Sequence, residues 1–133
     1  MLGSVGCEIN SFIDPGSGSH RGDSVVMVHP SRIAGWDTNV EAECVKIIAA
    51  ASSNLGFRSL SDPQVMSAEK IYLATFADNE GAYLGVVRER DTGELEIYVI
   101  SHRYFAYPHL EQLRSSIRER LTARFGGEAL NSQ

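Results

Sequence analysis

His102-Arg103-Tyr104-Phe105-Ala106-Tyr107 brings an imidazole, a guanidinium and two phenols into six consecutive residues. Tyrosine and arginine are enriched where interfaces concentrate their binding energy. The segment falls between a strand-like run and a helix-like run, a junction where side chains converge. His102, Arg103, Tyr104 and Tyr107 are therefore the residues predicted to meet a protein partner. The same pattern also describes an aromatic corner, with Phe105 buried under the helix and Tyr104 and Tyr107 half exposed.

The remaining chemistry-bearing residues are scattered. The histidines are His20, His29, His102 and His109, and none stands in an H-x-x-x-H or H-E-x-x-H arrangement. His102 and His109 flank one loop and are the acid–base candidates of a motif-poor enzyme. Without a nearby acidic ligand, two neutral imidazoles make a poor metal site. Cys44 falls on a helix face that must pack, where a free cysteine behaves as a small hydrophobe. Reactive thiolates instead sit exposed near positive charge. Asp78, Glu80, Glu89, Asp91, Glu94 and Glu96 fall at strand ends and turns, and nothing in the pattern places two of them in a pocket. No nucleophile elbow, phosphate loop or dinucleotide fingerprint occurs. No catalytic residue, metal ligand or cofactor is assigned, and a non-enzymatic role is favoured.

Two helices and a strand meander must position these residues. Thr38-x-x-Glu41 spells a capping box, with Asp37 just ahead. Val40, Cys44, Ile47, Ile48, Ala51 and Leu55 then form one apolar stripe. Gly56 supplies the left-handed residue past the helix end, and Phe57 packs back on the last turn. Pro108 suits the first turn of a second helix, whose stripe is Leu110, Leu113, Ile117, Leu121 and Phe125. Arg114, Arg118, Arg120 and Arg124 make that helix basic. Near its C-terminus they complement the dipole, and Glu111 pairs with Arg114. Strands are predicted at Val25–Val28, Ile71–Phe76, Ala82–Arg90 and Glu94–Ser101, with a short continuation around Arg58 and Leu60. Asp62-Pro63 marks a turn. Leu95, Ile97 and Val99 alternate with Glu94, Glu96 and Tyr98, so one sheet face is buried. The predicted fold is α+β: a two-layer sandwich of an antiparallel sheet of about four strands, with two amphipathic helices on one face.

With 133 residues, the chain has the length of one domain. The predicted organisation is a flexible N-terminal tether over 1–23, a single domain over 24–127 and a frayed polar tail over 128–133. The tether assignment rests on Pro15, Gly16, Gly18, Gly22 and several serines. Twelve Lys+Arg against 17 Asp+Glu give a net charge of −5, which disfavours phosphate backbones. The helix–three strands–helix order is similar to that of double-stranded-RNA-binding domains. The turn that is lysine-rich in those domains reads Pro108-His109-Leu110-Glu111 here, so no nucleic acid is expected.

Gly3-Ser4-Val5-Gly6-Cys7, followed by the tether, resembles the end of a bacterial envelope lipoprotein signal. Ser4 stands where that pattern has Leu, Val or Ile, and no long apolar segment precedes it. The resemblance implies lipidation of Cys7 and a periplasmic or outer-membrane-tethered location. It also implies a role among small tethered inhibitors and immunity-type proteins. Without the lipid the chain is expected in the cytoplasm, as an adaptor or regulatory subunit. Contact with a membrane is expected only through Cys7.

Overall fold

The structure, a computed structural model, describes residues 21–60, 70–101 and 106–130. The tether over 1–20 with Cys7 and His20, the Asp62-Pro63 turn, and His102, Arg103, Tyr104 and Phe105 lie outside the described residues.

Among the described residues, five strands form one antiparallel sheet: β1 (Arg21–Val28), β2 (Arg58–Ser59), β3 (Lys70–Ala77), β4 (Tyr83–Glu89) and β5 (Leu95–Ser101). Their spatial order is β1-β5-β4-β3-β2. The meander β3–β4–β5 supplies the centre, and helix α1 (Thr38–Ser53) carries the chain from one sheet edge to the other. Helix α2 (Leu110–Phe125) follows β5. Cys44, Ile48 and Ala51 of α1 and Leu113, Ile117 and Leu121 of α2 share one buried cluster with Val86, Leu95, Ile97 and Val99. Both helices therefore cover one face of the sheet, the predicted two-layer α+β architecture.

The pairing follows the residue pattern closely. Leu95, Ile97 and Val99 enter the helix-side core, while Tyr98 and Ile100 join Tyr72 and Val87 in a second cluster on the far face. In β1 a bulge between Ser24 and Val26 interrupts the register against β5. Strict alternation would send Val25 and Val26 to opposite faces; the extra residue lets both reach the helix-side core. Arg114 supports this edge from α2, its Nη2 donating to the Ser24 carbonyl (2.6 Å) and its Nε to the Val25 carbonyl (3.2 Å).

Several details differ from the sequence expectation. β1 begins at Arg21, so Arg21, Gly22 and Asp23 pair with Ser101, Ile100 and Val99. A ladder is made by backbone groups, and Gly and Asp on an edge strand do not prevent it. The helix cap is Asp37, not Thr38: its carboxylate accepts from the Val40 amide at 2.9 Å. Glu41 is thereby released from the capping box. The chain end over 128–130 does not fray. Residues Gly127–Ala129 form a 3-10 turn, Leu130 bridges to Val28, and the His29 amide donates to the Ala129 carbonyl at 2.7 Å. Ala129 and Leu130 are buried because they close the open end of the core beside β1.

Candidate functional site

A cleft of about 460 Å³ opens where the start of α1 meets the β4–β5 hairpin. Its walls are Pro30 and Ser31, Trp36 to Thr38, and Thr92 with Gly93; Glu41 and Arg88 complete the lining. Each wall has a local cause. Pro30 stops β1 and opens a short 3-10 turn. Asp37 caps the start of α1 directly after Trp36. Gly93, at φ 76°, takes the left-handed turn that folds the hairpin back.

The Glu41 carboxylate is the most enclosed charge in the cleft. It occupies the buried face of α1, three residues before Cys44, and the residue is 8% exposed. Arg88 reaches it from β4, its Nη1 donating to both carboxylate oxygens at 2.6 and 2.8 Å. Burying a carboxylate without such a partner would cost several kcal/mol. Arg88 remains partly exposed, with 31% of its side chain accessible. Beyond the cleft wall, His29 Nδ1 and Glu94 Oε2 lie 2.7 Å apart and hold the end of β1 to the hairpin.

Trp36 is half-buried and packs at a tilt against Phe125, ring centres 6.2 Å apart. The Arg124 guanidinium lies over Phe125 at 4.7 Å and donates to Glu43 at 2.5 and 3.0 Å. That hydrogen bond lowers the Glu43 pKa from its usual value. An arginine, two aromatic rings and a carboxylate thus form a ledge beside the cleft.

Of the residues predicted to meet a partner, Tyr107 alone is described. It is 4% exposed rather than half exposed, because its ring packs edge-on against Phe57 and His109 at 5.7 Å each. Its hydroxyl has no hydrogen-bond partner among the described residues, and burial, with the charges of Asp78 and Glu80, pushes its pKa up to about 12. His109, by contrast, is exposed. Cys44 is a buried free thiol, pushed up to about 12 by burial and by the neighbouring Glu41 and Glu43 carboxylates. At neutral pH it is a protonated packing residue.

On the far face, Tyr72 and Tyr98 hydrogen-bond through their hydroxyls and meet edge to face at 6.3 Å. They border a hollow of about 150 Å³ that also touches Asp23, Lys70 and Glu96. Burial raises the Tyr98 pKa, so this phenol is held neutral. Among the described residues no three His, Cys, Asp or Glu side chains are grouped to hold a metal ion. Among the same residues no helix is long and apolar enough to cross a membrane.

The pairing of Glu41 with Arg88 escaped the sequence reading, which placed Glu41 in a capping box, although the signal was present. Glu41 precedes Cys44 by three and Ile48 by seven, and Arg88 continues the inward alternation of Leu84 and Val86. A charge on each of two buried faces predicts that they meet. Trp36 carries no periodic signal and is placed only by the fold. No protein-family model, curated protein or solved structure matches the chain.

Proposed function

We propose that this chain is a non-enzymatic protein-binding module that docks its partner at the Trp36–Arg88 cleft. The observation that carries the reading is the composition of that cleft: an accessible tryptophan beside a half-exposed arginine, over a buried carboxylate. Tryptophan and arginine are the residue types on which interfaces concentrate their energy. The concavity is wide and open to solvent, suited to a side chain of a partner surface. The Glu41 carboxylate is engaged by Arg88 through both of its oxygens. In this reading a lipid on Cys7 tethers the module to an envelope membrane, in the manner of inhibitor and immunity-type proteins. Unmodified, it serves as a cytoplasmic adaptor. Intact mass of the protein from its source cell separates these two settings.

The test is capture of the partner with the full chain, followed by reconstitution of the purified pair and titration calorimetry. A stoichiometric complex weakened at least about tenfold by Trp36→Ala supports the site. A complex indifferent to Trp36→Ala but weakened by Tyr104→Ala moves the site to the strand-to-helix corner. Catalytic turnover of the captured molecule contradicts the non-enzymatic reading.

A further inference from the structure

We propose that the cleft receives an arginine or lysine side chain from a basic segment of the partner. The inference rests on the docking site above and names its guest. Three observations carry it. First, Asp37 and Glu41 place two carboxylates in the lining against the single guanidinium of Arg88, and Glu94 stands next to the lining glycine. Asp37 caps the helix through Oδ1 and is an exposed residue.

Second, the half-exposed indole of Trp36 lines the same space, and tryptophan is the aromatic that holds a cation best. Third, the molecule already makes this arrangement one step away. Arg124 lies over Phe125 while its guanidinium pairs with Glu43, and Phe125 is the ring against which Trp36 packs. A guest cation over Trp36, paired with Asp37, repeats that motif on the open side of the ledge. The net charge of −5 favours the approach of a basic segment at long range and opposes an acidic one.

The chain has a single tryptophan beside five tyrosines, so its tryptophan emission, excited at the red edge where tyrosine does not absorb, reports on this ring alone. The full chain is titrated with an acetylated, amidated heptapeptide containing three arginines, and with the same peptide carrying citrulline in their place. Citrulline keeps the shape and removes the charge. The expected result is a saturable change in Trp36 emission with the arginine peptide, at least about tenfold weaker with the citrulline peptide. Binding weakens as ionic strength rises. Asp37→Asn retains the helix cap, since Asn caps as well as Asp, and lowers affinity about threefold. Trp36→Leu, followed by calorimetry, abolishes the preference for arginine over citrulline.

Equal response to the two peptides, or no response to either, overturns the cationic guest. In that event, a purified partner still sensitive to Trp36→Ala leaves the docking site standing with a different guest. A partner insensitive to Trp36→Ala removes both.

Discussion

The Glu41–Arg88 pair shows how a single residue serves structure and site together. Its carboxylate lies on the stripe that α1 buries, so its charge must be answered inside the fold. Arg88→Leu removes the answer and leaves the carboxylate uncompensated. A cost of about 1–3 kcal/mol is expected, less than for a fully buried pair because Arg88 is partly exposed. Urea unfolding reads this as a lower midpoint with an unchanged slope. The double variant with Glu41→Leu recovers most of the loss, since two apolar side chains replace the pair without an orphaned charge. If the double variant is as unstable as Arg88→Leu, the pair is not what holds this corner. Cys44 gives a second residue-scale test. In a Cys7→Ser background, its thiol resists alkylation at neutral pH in the native state and reacts on denaturation. Rapid labelling of the native protein would contradict its burial.

At the scale of elements, α2 is held by a narrow apolar stripe and two arginine clasps. Leu113, Ile117 and Leu121 are fully buried. Ile117→Ala should cost about 2–4 kcal/mol, through lost transfer energy and an unfilled cavity. Ile47 only borders the core, so Ile47→Ala should cost clearly less. Equal losses would mean that α1 is rotated from the face described here. Both stripes were legible in the sequence, because a 3.6-residue period leaves little freedom about which face packs. The far-face tyrosines were less so. On β4, Gly85 pairs with Tyr98 on one side and with Thr75 on the other, and a Cβ there would approach the Tyr98 ring at 3.2 Å; Tyr72 pairs two residues along, with Val87, and meets Tyr98 across the space that the glycine leaves. Pairing register is a long-range property, and no local pattern announces it. The cap was misread by one residue for a smaller reason. Asp37 and Thr38 are both good caps, and the release of Glu41 toward Arg88 decides between them.

Across the whole molecule, the layers were visible in the sequence and the cleft was not. Alternation in β5 and the two stripes suffice for a sheet with helices on one face. The cleft needs three distant pieces at once: the turn after β1, the start of α1 and the β4–β5 hairpin. Its position depends on the chain end as well. Leu130 bridges to Val28, and His29 holds both the Ala129 carbonyl and the Glu94 carboxylate. The polar composition of that end concealed two buried apolar residues. The most direct measurement of the central claim is site-specific photo-crosslinking in the source cell, with a photoreactive phenylalanine analogue at position 36, at position 104 and, as a control on the exposed face of α2, at position 115. Docking at the cleft predicts a discrete protein adduct from position 36 and none from position 115. An adduct from position 104 with none from position 36 would contradict it and assign recognition to the strand-to-helix corner.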